Sequence, residues 1–291
     1  MQSFEGRVAV VTGAASGMGR AMAERFAQEG MKVVLADIEA PALDVAVQEL
    51  RQAEHDVIGV QTDVSRLDAV ENLARETIAA YGKVHVLVNN AGVTKHTGEA
   101  VWELSDKDWR WLLGSNLWGV IHALRVFVPI MLAQDEEGHI VNNSSMAGLV
   151  AGSGAYGAAK HAVVSLSEAL YFDLQRRGAK IGVSCLCPGL VATNITEAAR
   201  NRPPELQNEA PLTVEQQAFM DRIAALTHND GMPPSRVAEI VIEGMRAEQF
   251  YLRTDGASRF SGGDEGIRSR FENIIARKNP APFRPPPPGT R

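Results

Sequence analysis

Tyr156 and Lys160 stand four residues apart in the stretch from Ser144 to Lys160, at the predicted start of a helix. Side chains at that spacing share one helix face, a turn apart. A phenol with a reference pKa of about 10 is a poor base at neutral pH. An ammonium held close to it favours the phenolate, so Tyr156 reads as a candidate acid/base and Lys160 as the group that keeps it acidic. A hydroxyl follows the predicted strand His139 to Asn143, either Ser145 or its neighbour Ser144. It would stand at that strand's carboxyl end, where open parallel sheets bind ligands. Taken alone, a Tyr-x-x-x-Lys pair is more often a solvated helix face, so the surrounding elements must decide its meaning.

Those elements alternate. A valine-rich strand, Arg7 to Thr12, runs into the loop Gly13, Ala14, Ala15, Ser16, Gly17, Met18, Gly19 and then a helical pattern through Glu29. Glycines let the backbone turn and approach a pyrophosphate, and the amides of the following helix supply donors. A second strand, Met31 to Ala36, closes in Asp37, 24 residues after Gly13, where a carboxylate can accept the hydroxyls of an adenosine ribose. Further helices, Glu39 to Ala53 and Ser65 to Tyr81, alternate with strands Val57 to Gln61 and Val84 to Val88. The fold class follows: an α/β, Rossmann-like doubly wound parallel sheet of about seven strands with helices on both faces.

Ser105 and Asp108 form a capping pattern ahead of a helix that carries Trp109, Trp111, Asn116, Trp118 and Leu124. Its tryptophans read as packing or subunit-contact residues rather than a cofactor box. Asn116, a polar amide among apolar positions, needs a partner such as a water or a backbone carbonyl. A sixth strand, Lys180 to Leu186, ends in Cys187, Pro188 and Gly189. Residues 194–234 read as a partly helical lid with an amphipathic stretch at Phe219, Ile223 and Leu226. A helix from Ser235 to Ala247 and a last strand from Phe250 to Arg253 complete a single catalytic domain over 1–256. Residues 257–291 form a tail, helical over Asp264 to Arg277 and then extended polyproline.

Composition narrows the partners. With 45% hydrophobic and 22% charged residues the chain has ample core material, and a net charge of -6 without a basic stripe argues against nucleic acid. The start of the chain shows no charged-then-apolar leader, and no uninterrupted apolar run approaches the ~18 residues that cross a bilayer, so a cytoplasmic protein is expected, with no membrane partner. No metal-ligand set is read. Cys185 and Cys187, two apart in a strand, are expected to point to opposite faces as buried thiols that do not pair.

Together these motifs resemble the short-chain dehydrogenase/reductases, in their single-domain branch, from about Phe4 to Arg253. The resemblance implies that Gly13, Ser16, Gly17, Met18 and Gly19 hold the cofactor phosphates and that Asp63 and Val64 lie beside adenine. It implies that Asn90, Ala91 and Gly92 support the central strand, and that Pro188, Gly189, Val191 and Thr193 lie near the nicotinamide. The catalytic set it implies is Asn116, Ser145, Tyr156 and Lys160. Ser145 holds the substrate oxygen, Tyr156 takes the proton, Lys160 also holds the nicotinamide ribose, and Asn116 positions a water. Ser145 precedes Tyr156 by a shorter interval than the family usually shows, so the loop from Leu149 to Ala155 is read as shortened.

The implied reaction is hydride transfer between a nicotinamide and a secondary alcohol or ketone. Asp37, with Ser16 and Ile38 where NADP-preferring members carry basic residues, points to NAD, because no cation is offered to a ribose phosphate. The alternatives are an NADPH-dependent ketone reductase and a non-catalytic nucleotide-sensing protein. His96, Trp102, Met146, Leu149, Val150 and Phe219 are the expected substrate wall, which suits a bulky apolar or aromatic alcohol. The run Thr193 to Arg200 resembles bacterial members of the family that act on aryl alcohols. A homodimer or homotetramer is expected through the helices that hold Asn116 and Tyr156, where Val163, Val164, Leu166, Leu170 and Phe172 offer an apolar face.

Overall fold

A computed structural model describes residues 1–95, 97–208, 211–254 and 263–281. His96 and the proline-rich segment from Pro282 onward lie outside the described residues.

Seven strands form one sheet: β1 (Val8–Thr12), β2 (Lys32–Asp37), β3 (Val57–Gln61), β4 (Val86–Asn89), β5 (Gly138–Asn143), β6 (Ile181–Cys187) and β7 (Tyr251–Arg253). Their order is β3-β2-β1-β4-β5-β6-β7, and every pairing is parallel. The order reverses between β1 and β4, so the connections leaving these two strands diverge and open a crevice at their carboxyl ends. Strands buried on both faces need no polar alternation, which is why β1 reads as a continuous valine-rich run.

The side chains sort by strand period. Ala9, Val11, Val33 and Leu35 meet α1 (Gly17–Gln28), α2 (Ala40–Gln52) and α8 (Pro234–Arg246) on one face, centred on Phe26 and Met245. Val10, Val34, Leu87 and Ile140 meet α3 (Leu67–Tyr81), α5 (Gly119–Gln134) and α6 (Gly154–Arg176) on the other, centred on Phe127 and Met131. Two further helices lie toward the carboxyl end, α7 (Val214–Asp230) in the expected lid and α9 (Gly263–Ile275) in the tail. On α6, Val163 and Val164 are buried, Leu166 and Leu170 are half-buried, and only Phe172 of the five expected apolar positions is largely exposed.

Two expectations need correction. The helix after Ser105 is not continuous: α4 (Asp106–Leu113) passes through a wide π turn, Gly114–Trp118, before α5. The cause is local, since Asn116 Nδ2 takes the Leu112 carbonyl at 2.8 Å, the acceptor that its own backbone amide would use in an α-helix. The whole stretch Asp106–Gln134 is long and apolar enough, by length and composition, to cross a membrane, yet its Val120, Ala123, Phe127 and Met131 are packed against the sheet. The second correction concerns the thiols. Residues i and i+2 of a strand lie on the same face, and Cys185 Sγ is 3.8 Å from Cys187 Sγ. Both are free and buried.

Candidate active site

The strand ends are joined by neutral hydrogen bonds. Thr12 Oγ1 accepts the amides of Asn90 at 2.9 Å and Ala91 at 3.0 Å, and Asn90 Nδ2 donates to the Thr12 carbonyl at 2.9 Å. Asn143 Nδ2 then donates to Asn90 Oδ1 at 3.0 Å, so β1, β4 and β5 are tied across the crevice. This network fixes the floor of a cleft of about 680 Å³.

The glycine loop forms one end. Gly13 has a φ of +66°, and a Cβ there would lie 2.9 Å from Ala91 Cα. At Gly19 a Cβ would meet the Gly13 carbonyl at 2.0 Å, so no larger residue fits either place. Ser16 precedes α1 without capping it through its side chain, which leaves first-turn amides for an anion. Asp37 stands next to this loop, its carboxylate accepting the Ala15 amide at 2.9 Å and the Glu39 amide at 3.0 Å. Burial raises its pKa, and the two amides partly offset that rise. A loop that only glycine can make, an uncapped helix start and a fixed acid beyond them fit a dinucleotide laid from phosphates to adenosine ribose.

The other end brings together a serine, a phenol and an ammonium, groups able to exchange a proton. Ser144 is spent on structure, donating from Oγ to the Lys160 carbonyl at 2.8 Å. Ser145 starts a short 3-10 turn, accepts the Ala147 amide at 3.1 Å, and donates to the Pro188 carbonyl at 3.4 Å. Lys160 is buried, with Nζ 2.9 Å from the Asn143 carbonyl and 5.5 Å from the Tyr156 ring centroid. Here the electrostatics differ from the expected phenolate. Burial pushes Tyr156 up to about 12, against the smaller lowering from Ser145, and pushes Lys160 down to about 8. Loss of hydration outweighs a cation that faces the ring rather than the oxygen.

Gly13, Ser16, Gly17, Met18, Asp37, Asp63, Val64, Asn90, Ala91, Gly92, Ser145, Tyr156, Lys160, Pro188, Gly189, Val191 and Thr193 all line the one cleft. Met146, Val150 and Phe219 line it as well. Gly19 lies behind the loop, and Asn116 lies behind Gly92. The Asn116 side chain gives Nδ2 to the carbonyls of Val93 and Leu112, each at 2.8 Å, and accepts the Val93 amide at 3.3 Å. Its side-chain amide is therefore committed to the backbone of Val93 after β4 and of Leu112 in α4. Leu149 packs toward Val164 and the two cysteines instead of the cleft, because the chain turns into the 3-10 segment Met146–Gly148 just before it. Trp102 is 82% exposed and does not line this cleft.

Two ionic sites were not anticipated. Asp108, only 1% exposed, gathers Lys95 Nζ at 3.0 Å, Arg202 Nη1 at 2.8 Å and Asn208 Nδ2 at 3.0 Å, besides capping its own helix through Ser105. The capping pattern was legible, but not the lid residues that close on it. Arg200 also lines the cleft, bound to Glu39, so a cation does stand near the expected ribose site, although it is already paired.

Comparison with known proteins gives a consistent result. A family model described as short chain dehydrogenase matches residues 7–204. A crystal structure of a short chain dehydrogenase/reductase from Burkholderia phymatum in complex with NAD is 45% identical, covers 97% of this chain and 99% of its own, and superposes with a TM-score of 0.92. Meso-2,3-butanediol dehydrogenase of Serratia marcescens is 36% identical over 263 residues, 90% of this chain and 92% of its own length. An actinorhodin polyketide ketoreductase crystallised with NADPH is 32% identical, with a TM-score of 0.69 over 87% of this chain and 97% of its own.

Proposed function

The chain belongs to the short-chain dehydrogenase family, and from that premise we propose that it is an oxidoreductase moving hydride between NAD and a secondary alcohol or the matching ketone. One observation carries the reading: Ser145, Tyr156 and Lys160 converge in the same cleft that ends at Asp37. NAD, when bound, supplies the acceptor for hydride, and its reduced form the donor. The residues of this chain do the rest.

The loop from Gly13 to Gly19 takes the pyrophosphate, Asp37 the adenosine ribose, and Lys160 the ribose next to the substrate. Ser145 donates a hydrogen bond to the substrate oxygen and fixes it beside Tyr156. Tyr156 exchanges the proton at that oxygen. With its phenol held high by burial, Tyr156 is poised in the resting protein to give a proton to a ketone oxygen. Alcohol oxidation needs the phenol to lose its proton first, so that direction is favoured as pH rises. Asn116 keeps the turn after β4 in place rather than touching the reacting atoms.

The substrate end suits an apolar group of some bulk. Val93, Leu104, Trp111, Val150, Leu206 and Phe219 line it, with Trp111 held by the Arg202 guanidinium 4.9 Å from its ring centroid. The NAD complex of the similar Burkholderia protein and the butanediol dehydrogenase of Serratia support the cofactor and the alcohol class. A second reading, ketone reduction with NADPH, has one observation in its favour, the Arg200 cation in the same groove. The test is a panel of aryl and alkyl secondary alcohols and ketones, each offered with both cofactors in oxidised or reduced form, followed by cofactor absorbance. Turnover of bulky secondary alcohols with NAD is expected; absence of turnover across the panel together with absence of cofactor binding would overturn the assignment.

A further inference from the structure

The segment after β6 crosses the open side of the groove. At its start Thr193 lies against the glycine loop, so that a Cβ on Gly17 would sit 3.0 Å from the Thr193 methyl carbon. A 3-10 turn, Asn194–Asn201, then spans toward α2. At the far end two side chains close on one carboxylate oxygen. Arg200 Nη2 lies 2.7 Å and Nε 3.0 Å from Glu39 Oε1, and Asn201 Nδ2 lies 2.6 Å from the same atom. Glu39 is two residues past Asp37, and its own amide is one of the two donors to the Asp37 carboxylate. The strap therefore runs from the phosphate loop to the ribose acid.

Resting on the cofactor assignment above, we propose that Glu39 is a latch: Arg200 and Asn201 close the strap over bound NAD through it, and its opening limits release of the cofactor. Glu39 is a positioning residue here, since it acts through the strap. What lies on either side supports a movable span between fixed ends. Beyond it Arg202 is anchored on the buried Asp108, and before it Gly189 is anchored through its amide to Thr254 Oγ1 at 2.9 Å. Within the span, Arg200 Nη1 donates back to the Asn194 carbonyl at 3.2 Å. Burial alone would raise the Glu39 carboxyl, but the bonds from Asn201 and Arg200 hold it below the usual carboxylate range, so the latch stays charged at neutral pH. Glu39 and Arg200 keep 27% and 37% of their side chains exposed, so salt reaches the pair and its hold is modest. Opening of such a lid often sets turnover in enzymes whose chemistry is fast.

The experiment follows NADH release from the full-length protein by stopped-flow nicotinamide fluorescence. It compares the parent, Glu39→Gln, Arg200→Met and the double variant, at low and high salt. Each single variant is expected to release NADH about three to ten times faster, as befits a partly exposed pair. The double variant should be no faster than the faster single one. Release from the parent should quicken with salt, and release from the double variant should not. A general loosening of the fold would not remove that salt dependence. Release rates unchanged in both single variants, or additive effects with the salt response intact, would overturn the latch while leaving the cofactor assignment standing. A parent protein that binds no NADH would overturn both.

Discussion

The two halves of the cleft are built on opposite principles. At the strand ends, Thr12, Asn90 and Asn143 form a network of neutral hydrogen bonds across neighbouring strands, and Lys160 is the charge set into it. The strap opposite is held by ion pairs: Arg200 on Glu39, and Arg202 with Lys95 on Asp108. Neutral buried networks are rigid and insensitive to salt, and they place reacting groups with the precision that proton transfer requires. Ion pairs at a rim can open. The contrast assigns chemistry to the floor and admission to the roof, and four predictions test that division.

The largest effect belongs to the floor. Tyr156→Phe removes the proton-carrying oxygen and keeps the ring, so kcat should fall by about 10²–10⁴-fold. NADH affinity, measured by fluorescence titration, should stay within a few-fold of the parent. Retention of activity within tenfold would show that the proton moves elsewhere. Lys160→Ala serves as the companion, because loss of turnover without loss of affinity would remove its ribose contact.

Next comes the anchored end of the roof. Removing one partner of a buried ion pair costs about 3–5 kcal/mol, because the remaining charges are left without a counterion. Asp108→Ala should lower stability by that order in a denaturant titration, with Asp108→Asn milder since it keeps the helix cap. Burial alone would raise the Asp108 carboxyl, but Lys95, Ser105 and Arg202 hold it well below the usual carboxylate range. A carboxyl depressed on folding contributes stability above its unfolded pKa of about 3.9, and that contribution is lost as pH falls through the folded value. The clasp thus holds throughout neutral pH and yields only in strong acid. A variant as stable as the parent would mean that the roof is not fastened there.

The pH dependence of catalysis returns to the floor. Oxidation needs the phenolate, and with Tyr156 pushed up to about 12 its population grows by up to about tenfold per pH unit through neutral pH. Lys160, pushed down to about 8, begins to lose its charge above that point. kcat/KM for alcohol oxidation should therefore climb from weakly acidic pH toward 8 and flatten beyond. Ketone reduction should stay flat across neutral pH, since the phenol is already protonated. An oxidation rate independent of pH below that point would exclude Tyr156 as the base.

The same division explains what could be read from the chain. The sheet, the glycine loop and the Tyr156/Lys160 pair were legible because each depends on residues close in sequence, at the periods of strand and helix. The π turn at Asn116 was not, because it rests on a side chain that takes a backbone carbonyl, which hydrophobic periodicity does not register. Cys185 and Cys187 share a face because the strand period is two residues, so their spacing places them together rather than apart. The roof was illegible for a different reason. Arg200 meets Glu39 across 161 residues and Arg202 meets Asp108 across 94, and single charged residues at such separations carry no spacing signal. Asp108 was found as a helix cap and missed as a lid anchor.

Cofactor choice is where floor and roof meet, and its expected effect is the smallest of the four. Asp37 is fixed by the Ala15 and Glu39 amides, so it cannot swing away from an incoming ribose. The extra phosphate of NADP carries roughly -1.5 to -2 charges and would face that carboxylate. A preference for NAD of at least about tenfold in kcat/KM is expected, about 1.4 kcal/mol. Asp37→Ala should narrow the gap, and Asp37→Ala with Ile38→Arg should reverse it. Arg200 makes the series more informative. If the strap stays latched, Arg200 remains on Glu39 and Asp37→Ala alone leaves NADP the poorer cofactor. If the strap is loose, Arg200 turns to the phosphate, Asp37→Ala alone reverses the preference, and adding Arg200→Met restores it. That second outcome would break the division between a fixed floor and a fastened roof, and equal use of NADP by the unmodified protein would remove Asp37 as the reader of the ribose.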